Sequence, residues 1–440
     1  MHFDTLLLGG TLWSSSGPTR ADLGIRDEKI AEIGELSSRS AREIVDCNGL
    51  DLMPGIIDTQ VHFREPGLEH KEDIESGSRA ALHGGVTTFF EMPNTAPPTT
   101  DADALNDKLQ RASGRSWVNY AFFVGATSEN ADRCVELEML PGTPGIKIFM
   151  GSSTGSLLVP DDDTLERIFR SCKRRCPVHA EDHYCLEAHK RPTNNVRDHY
   201  SIRDSECALK ATQRLVSLAR KTGGKPHILH VSTAEELPVI YEAKRELPIT
   251  CEVTPPHLWV FSDDCYERLG TLAQMNPPIR TREHREAIRE ALRNGLFDVF
   301  GSDHAPHTLE EKSSEYPKSP SGMPGVQTLL PAMLTLAQED GLISVADVVR
   351  LGCEAPTRLY DIQGKGKLSP GFDADIVAVD LRKRWQFQRE DVESKCGWSP
   401  FEGEAFTGQV VHVWVNGSQT VCERERIGSP MGKVVRFDRG

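Results

Sequence analysis

The segment Gly55-Ile-Ile-Asp-Thr-Gln-Val-His62 is a short, mostly apolar run that ends in polar side chains. Seven further runs of similar character follow it along the chain: Gly85–Met92, Val118–Thr127, Gly145–Gly151, Pro177–Asp182, His227–Thr233, Ile249–Thr254 and Asp298–Asp303. Their length and their content of β-branched and aromatic residues are typical of buried strands. The sequence therefore predicts eight strands in its central part.

Helix-like segments occupy most of the gaps between these runs. Apolar residues recur at helical spacing in Asp73–His83, Asp101–Ala112, Asp162–Arg174, Ser205–Lys221, Ala234–Arg245 and Thr281–Asn294. Strands that alternate with helices pair in parallel, and eight such units predict an α/β chain with a (β/α)8 barrel. A doubly wound open sheet of eight strands is the alternative that this pattern leaves open.

Both chain ends have a different pattern from the centre. Short β-like runs broken by Gly and Ser fill residues 3–50 and 366–420, which favours small antiparallel sheets. We therefore expect residues 1–53 and 366–440 to form one small β-sandwich domain together. The intervening residues 54–365 are expected to form the barrel.

The composition limits the class of protein. Of the 440 residues, 38% are hydrophobic and 26% are charged, as in a globular enzyme. The net charge of −14 argues against a general surface for nucleic acid or an anionic membrane. No apolar run is long enough to span a membrane, and the eleven cysteines lack the spacing of a disulfide framework. We expect a cytoplasmic enzyme that acts on a small molecule.

One group of cysteines has the spacing of half a zinc site. Cys172 and Cys176 precede His179 and His183, but a second cysteine pair of matching spacing is absent from the sequence. Because a single half-site cannot complete a tetrahedron, we interpret Cys172 and Cys176 as plain thiols at a helix end and a strand start.

Potential metal ligands recur at the ends of the predicted strands. His62 ends the first run, His179 and His230 lie in the fifth and sixth, and Asp303 ends the eighth. A lone buried histidine is more often a hydrogen-bonded core residue than a ligand. Several imidazoles and a carboxylate at one rim of a barrel instead indicate a catalytic metal site.

The strand-end motifs resemble those of the dihydroorotase family. Residues 58–67, Asp-Thr-Gln-Val-His-Phe-Arg-Glu-Pro-Gly, are similar to its signature Asp-x-His-x-His-Phe-Arg-Glu-Pro-Gly. Further matches are Met92-Pro-Asn-Thr95, Gly145-Ile-Lys-Ile-Phe149, His179-Ala-Glu-Asp182, His230-Val-Ser-Thr233, Met275-Asn-Pro-Pro278, Ser302-Asp-His-Ala-Pro-His-Thr308 and Gly371-Phe-Asp-Ala-Asp-Ile-Val377. The resemblance implies an amidohydrolase barrel that reversibly hydrolyses dihydroorotate to N-carbamoyl-aspartate in pyrimidine biosynthesis.

The resemblance also implies a set of site residues. The metal ligands would be His62, Lys147, His179, His230 and Asp303. They would bind one or two zinc ions, with Lys147 carboxylated on its amine as a bridge. Burial favours this modification because it lowers the pKa of a lysine and leaves a neutral amine to capture carbon dioxide. Asp303 would carry the proton from the attacking water to the leaving nitrogen.

Substrate recognition is expected from residues beside the metal ligands. Arg64 would grip the ring carboxylate of dihydroorotate, with Asn94, Asn276 and His307 as further contacts. The alternative for Arg64 is a surface ion pair with Glu65 or Glu69. Residues 317–325, rich in Pro, Ser and Gly, predict a loop that closes over the ring. The family resemblance also suggests a homodimer.

Gln60 departs from the family pattern because the signature has histidine at this position. An amide is a weaker zinc ligand than imidazole, so Gln60 is expected either to bind the metal weakly or to contact one of its ligands without binding the metal itself. Two other functions therefore stay open. One is a catalytically impaired, dihydroorotase-like scaffold subunit, and the other is a cyclic amidohydrolase of the hydantoinase, dihydropyrimidinase or allantoinase type.

Overall fold

A computed structural model of the protein describes residues 2–151 and 155–439. Its strands, in chain order, are β1 (Phe3–Leu8), β2 (Thr11–Ser14), β3 (Gly17–Arg20), β4 (Asp22–Arg26), β5 (Lys29–Gly34), β6 (Ala41–Asp46), β7 (Asp51–Pro54), β8 (Ile56–Val61), β9 (Val86–Glu91), β10 (Asn119–Phe122), β11 (Val124–Gly125), β12 (Ile146–Phe149), β13 (Cys176–His179), β14 (Pro226–Ile228), β15 (Thr250–Val253), β16 (Val299–Phe300), β17 (Ile376–Gln386), β18 (Ala405–Val415), β19 (Ser418–Cys422) and β20 (Glu425–Arg426).

Strands β8 to β16 form the central barrel of the described chain, with β10 and β11 as two parts of one strand. The strands form two sheets, β8-β9-β10 and β11 to β16, and within each sheet every strand pairs in parallel with the next one along the chain. The last strand returns to the first through a parallel bridge between Val61 and His304. His62 N also donates a 2.7 Å hydrogen bond to His304 O. A doubly wound sheet would reverse its strand order partway, so the open-sheet alternative is wrong.

The helices that connect and surround these strands agree with the predicted segments. They are α1 (Ile74–His83), α2 (Ala102–Ala112), α3 (Cys134–Leu137), α4 (Asp162–Ser171), α5 (His183–His189), α6 (His199–Ile202), α7 (Ser205–Thr222), α8 (Glu236–Lys244), α9 (Pro255–Trp259), α10 (Ser262–Leu269), α11 (Arg282–Arg293), α12 (Leu309–Lys312), α13 (Leu329–Gln338), α14 (Val345–Val349) and α15 (Ala355–Tyr360). Aspartates begin several of them: the side chains of Asp73, Asp101 and Asp204 accept hydrogen bonds from the first turns of α1, α2 and α7. Among the described helices, none combines the length and apolarity needed to cross a bilayer.

Two small sheets lie outside the barrel, and strands from both chain ends meet in one of them; each also contains a parallel pair, β1 with β6 and β2 with β7, so the expectation of purely antiparallel sheets is wrong. One sheet has the order β5-β4-β1-β6, and the other has the order β20-β19-β18-β17-β7-β2-β3. In the second sheet β17 pairs with β7, so that Ile376 lies opposite Pro54. Leu7, Leu52 and Trp414 are buried together in one cluster of this region. The small β domain is therefore built from segments that the whole barrel separates in sequence.

The cysteines Cys172 and Cys176 are free, buried thiols. Cys172 follows α4 as its C-cap, and Cys176 is the first residue of β13. His179, the expected third ligand of that half-site, instead contacts His230 and Glu181. This arrangement agrees with the interpretation of Cys172 and Cys176 as plain thiols.

Candidate metal and substrate site

The strand ends bring the predicted ligands to one rim of the barrel. His62 follows β8, His179 is the last residue of β13, and Asp303 lies beyond β16. Because all barrel strands are parallel, their carboxyl ends face the same side. His230 and Asp303 have positive φ angles of 38° and 47°, a backbone conformation that non-glycine residues adopt rarely and mostly at functional positions.

The first pair of predicted ligands is His62 and Asp303. His62 Nδ1 donates to Asn94 Oδ1 at 2.7 Å, so the lone pair of this neutral imidazole lies on Nε2. That atom faces Asp303 Oδ1 at 3.3 Å. Burial lowers the pKa of His62, although the Asp303 carboxylate opposes the shift. A proton on Nε2 or a metal ion can link these two atoms, so the pair also offers two ligand atoms to a cation.

The second pair is His179 and His230. His179 Nε2 donates to Glu181 Oε2 at 2.8 Å, which leaves the lone pair on Nδ1. His179 Nδ1 faces His230 Nε2 at 3.0 Å. Burial lowers the pKa of His179 and lowers that of His230 well below its ordinary value. Neutral imidazoles are the form that binds metal ions, so the donor set of this pair also fits a cation.

Lys147 interacts electrostatically with residues of both pairs. Its charge lowers the pKa of both His179 and His230, and the Asp303 carboxylate in turn acts on Lys147. Burial lowers the pKa of Lys147 to about 7, with Asp303 and Glu252 opposing the shift. Its Nζ lies 4.5 Å from the centre of the Phe149 ring. A large fraction of this amine is therefore neutral at physiological pH.

The two pairs remain separate in the structure. In the part of the chain that is described, no three of His62, His179, His230 and Asp303 have ligand atoms within 4.8 Å of one another. Gln60 lies with the first pair, where its Nε2 donates to Asp303 Oδ1 at 2.8 Å. Gln60 Oε1 is buried and has no hydrogen-bond partner among the described residues. Gln60 therefore contacts Asp303 through its amide nitrogen, whereas its amide oxygen is the atom that could bind a cation.

Glu181 and Arg203 form an ionic network on the Nε2 side of His179. Glu181 accepts from His179 and also from Arg203 Nε, the latter at 3.2 Å. Burial opposes the ionisation of Glu181, but Arg203 and His179 hold its pKa well below the ordinary value. A carboxylate on the far side of a histidine fixes the ring's tautomer and orientation. The sequence analysis missed Glu181 and Arg203 in this role.

Two more acids lie buried beneath the rim. Burial raises the pKa of Asp58 to about 7 and raises that of Glu252 well above the ordinary value. Thr59 Oγ1 donates to Glu252 Oε2 at 3.3 Å. Glu252 lies within β15, and the sequence analysis did not single it out.

Arg64 is buried at the rim and does not form the surface ion pair that was considered for it. Its Nε donates to Pro306 O at 3.1 Å, and Nη2 lies 3.2 Å from His307 Nε2. The two glutamates of that alternative contact other arginines: Glu65 contacts Arg115, and Glu69 contacts Arg111. Burial lowers the pKa of Arg64 to about 10, so the guanidinium stays charged at neutral pH.

His307 lies between the cationic side chains of Arg64 and Lys71. Lys71 Nζ lies 3.2 Å from His307 Nδ1, and His307 Nε2 lies 3.1 Å from Ser321 O. Burial, together with the charges of Arg64 and Lys71, lowers the pKa of His307 far below its ordinary value. The protein is acidic overall, yet this side of the rim carries two positive charges around a neutral imidazole.

Asn276 lies at a cleft that contains a histidine not found from the sequence. His199 Nε2 lies 2.9 Å from Asn276 Oδ1, and its Nδ1 lies 3.2 Å from Tyr316 Oη. These three residues help to line a cleft of about 540 Å³, which Pro317 and Ser321 of the predicted loop also border. Convergent polar groups in such a cleft suit a small polar ligand.

Comparisons with known proteins agree with this architecture. The chain matches the Amidohydrolase family over residues 52–420. A dihydroorotase from Methanosarcina mazei is 37% identical over 399 residues, covering 87% of each chain. An allantoinase from Desulfitobacterium hafniense is 33% identical over 449 residues and covers 99% of each chain. The structure of an L-hydantoinase from Arthrobacter aurescens superposes with a TM-score of 0.94 at 31% identity, over 99% of this chain and 100% of the other.

A (β/α)8 barrel with histidines, a carboxylate and a buried lysine at its carboxyl rim defines the class of amidohydrolases, and the chain belongs to the Amidohydrolase family. Within this family it is a hydrolase of cyclic amides, similar to dihydroorotase, allantoinase and hydantoinase. The predicted fold class, with its barrel and small β domain, is confirmed.

Proposed function

We propose that this chain is a dihydroorotase that hydrolyses the ring amide of dihydroorotate to N-carbamoyl-aspartate, and catalyses the reverse cyclisation, in pyrimidine biosynthesis. The observation that carries the substrate assignment is the buried guanidinium of Arg64 at the rim, beside His307. Dihydroorotate carries a ring carboxylate, which a simple hydantoin lacks. A buried arginine recognises such a carboxylate through charge-assisted hydrogen bonds.

We propose zinc as the metal of the rim. Five residues would hold it: His62, Lys147, His179, His230 and Asp303. The facing nitrogens of His179 and His230, and the Asp303 carboxylate that faces His62 Nε2, support this set because each of these atoms can bind a cation once it carries no proton. Neutral imidazole and carboxylate suit zinc, although such ligands also accept cobalt or manganese. When bound, the metal supplies Lewis acidity, which polarises the ring carbonyl and lowers the pKa of water.

Lys147 and Asp303 have separate roles in this proposal. The neutral amine of Lys147 adds to carbon dioxide, releases a proton and becomes a carbamate anion that bridges the two ligand pairs. Asp303 accepts the proton of the attacking water at a carboxylate oxygen. It then delivers this proton to the ring nitrogen as the carbon–nitrogen bond breaks. Gln60 holds Asp303 from one side, which restricts the carboxylate's rotation.

Four residues would hold the substrate: Arg64, Asn94, Asn276 and His307. Arg64 and His307 would face the carboxylate, while Asn276 would border the ring from the cleft. Asn94 already accepts a hydrogen bond from His62, so we propose that it orients this ligand as well as the substrate.

The second candidate is an allantoinase or hydantoinase. The allantoinase relative, 33% identical over 99% of this chain, favours it. Turnover of dihydroorotate, allantoin and hydantoin should be measured on one preparation, together with its metal content. We expect dihydroorotate to be hydrolysed with the highest kcat/KM. Preference for either of the other compounds would replace the proposal, and a protein without metal or turnover would support a scaffold subunit.

The remaining expectations extend this proposal. We propose a homodimer in the cytoplasm, with residues 1–53 and 366–440 as the small domain and residues 54–365 as the barrel. Sedimentation of the purified chain would measure the oligomeric state directly.

A further inference from the structure

A second group of potential metal ligands lies outside the rim site. It consists of Cys185 and His189 on α5, Asp204 before α7, and Cys207 in its first turn. One ligand atom from each of these four residues lies within 4.8 Å of the others, and no other such group occurs among the described residues. The structure pairs Cys185 with Cys207 as a disulfide.

The spacing of this group fits a tetrahedral metal ion. His189 Nδ1 lies 3.0 Å from Asp204 Oδ2 and 3.7 Å from Cys207 Sγ. Zinc bonds of about 2.0–2.3 Å place neighbouring ligand atoms roughly 3.3–3.8 Å apart in a tetrahedron. The contact of His189 with Cys207 has this spacing and its contact with Asp204 is slightly shorter, while the two bonded sulfurs would have to separate.

Beside the disulfide, His189 and Asp204 pair with each other, and His189 also faces a sulfur. Disulfide sulfurs are uncharged, weak acceptors, so they gain little from an imidazole and a carboxylate directed towards them. Asp204 divides its two oxygens: Oδ1 accepts from Cys207 N at 3.2 Å to cap α7, and Oδ2 faces His189. Two thiolates, one carboxylate and one imidazole around a divalent cation would give every one of these groups a partner.

The surroundings of the group also suit a metal ion. His189 Nδ1 pairs with Asp204 Oδ2 at 3.0 Å, and the carboxylate of Glu206 lies 3.9 Å from Nε2, so a metal ion on Nδ1 would replace the Nδ1 proton while Glu206 faces the opposite side of the ring. The sulfurs are buried, whereas the His189 and Asp204 side chains are 29% and 33% exposed. A cation can therefore enter from the solvent and bind sulfurs that are shielded from it.

We propose that Cys185, His189, Asp204 and Cys207 bind one structural zinc ion when the two cysteines are reduced. Binding replaces the two thiol protons with the metal and requires no oxidant. The disulfide is the metal-free, oxidised form of the same pair.

This zinc would close the loop between α5 and α7. That loop carries His199, which contacts Asn276, and Arg203, which contacts Glu181 behind the ligand His179. Fixing both ends of the loop would therefore hold two groups of the rim site in place. The inference concerns a separate site and does not depend on which cyclic amide the enzyme hydrolyses.

Cobalt substitution can test the proposal because thiolate ligands give cobalt a charge-transfer band that nitrogen and oxygen ligands do not. The predicted rim ligands contain no cysteine, so the band reports this group alone. We expect the band in the full chain purified under reducing conditions, and its loss in the double variant Cys185→Ser, Cys207→Ser. The matched control Cys172→Ser, Cys176→Ser removes two other buried thiols and should keep the band.

Two further measurements keep the test decisive if the double variant does not fold. His189→Ala leaves both cysteines able to form a disulfide but removes a metal ligand, so it should lower the zinc content by one ion per chain. In the unmodified chain, a thiol-blocking mercurial should release one zinc ion per chain. Absence of the cobalt band and of this release, in chain whose Cys185 and Cys207 are shown by mass spectrometry to be free thiols, would overturn the proposal.

Discussion

Gln60 Nε2 donates a 2.8 Å hydrogen bond to Asp303 Oδ1, the same carboxylate oxygen that faces His62 Nε2 at 3.3 Å. The side chain that replaces the family's histidine therefore contacts a predicted metal ligand directly. Its own oxygen is buried without a partner among the described residues. For this oxygen to reach a metal ion, the amide must turn and give up its hydrogen bond to Asp303.

Replacing Gln60 with histidine should raise the metal content. We expect the rim of the unmodified chain to retain between one and two ions, with the tighter one on His179 and His230, and that of Gln60→His to approach two, because imidazole is the better zinc ligand; these counts are in addition to the zinc proposed for Cys185 and Cys207. Elemental analysis after dialysis against a chelator measures this difference. Gln60→Asn, a shorter amide, serves as the control and should not raise the content. Two ions already retained by the rim of the unmodified chain would mean that Gln60 completes the site.

Removing the Lys147 amine should remove metal and activity together. Lys147→Ala has no group that can become a carbamate, so activity and the metal content of the rim should both fall to near background. Added short carboxylic acids should restore part of each, because they can occupy the bridging position. Lys147→Arg is the control, since it keeps the positive charge but cannot be carboxylated, and it should also be inactive. Full metal content and turnover in Lys147→Ala would rule out the bridge.

The reconstitution of metal-free protein should depend on pH around 7. Burial lowers the pKa of Lys147 to about 7, and only the neutral amine adds carbon dioxide. The neutral fraction is about 90% one pH unit above this pKa and about 10% one unit below it. Activity regained with zinc and a fixed concentration of dissolved carbon dioxide should therefore fall as the pH drops from 8 to 6. A flat profile would show that Lys147 does not limit reconstitution.

Arg64→Met should distinguish substrates by their charge. The substitution removes a charge-assisted contact to the carboxylate, so kcat/KM for dihydroorotate should fall roughly 100-fold, equivalent to about 3 kcal/mol. A hydantoin without a carboxylate should be affected little. Arg111→Met, which removes a more exposed arginine on the neighbouring Glu65, is the control and should leave both activities intact. Equal losses on both substrates in Arg64→Met would make Arg64 a structural residue.

Glu181→Gln should weaken zinc binding without removing a ligand. The amide cannot match the charge with which Glu181 orients the His179 ring. Loss of such a partner typically costs about 10- to 100-fold in metal affinity. Competition with a zinc-sensitive dye measures this affinity. Thermal unfolding of the metal-free variant provides the control for a general loss of structure, and an unchanged affinity would contradict the orienting role.

The barrel was predictable because its signals are local. Each strand is a short apolar run, and several runs end in a histidine or an acid whose position on the rim follows from parallel pairing. His62, His179, His230 and Asp303 could therefore be assigned to one rim before any coordinates were known. The antiparallel pairing of β7 with β17 was indicated only by similar composition at the two chain ends.

Residues that reach the site from loops or from the barrel interior were not predictable in the same way. His199 and Arg203 lie in a polar connection between α5 and α7, and no sequence periodicity indicates the path of this connection. Their contacts with Asn276 and Glu181 therefore could not be predicted. Cys185 and Cys207 are 22 residues apart. Only the packing of α5 beside α7 brings them together. The pair Cys172 and Cys176, although closely spaced in sequence, does not form a metal site.

The pairing of β7 with β17 also determines when during synthesis the small domain can be completed. Ile376 must emerge from the ribosome before it can lie opposite Pro54, by which time the barrel segment between them has been translated. Contacts between residues so far apart in sequence form slowly, since a long loop must close first. Until β17 is synthesised, the edge of β7 that will pair with it remains exposed. During this interval the nascent chain is most prone to aggregate, and a chaperone that covers exposed strand edges would act then.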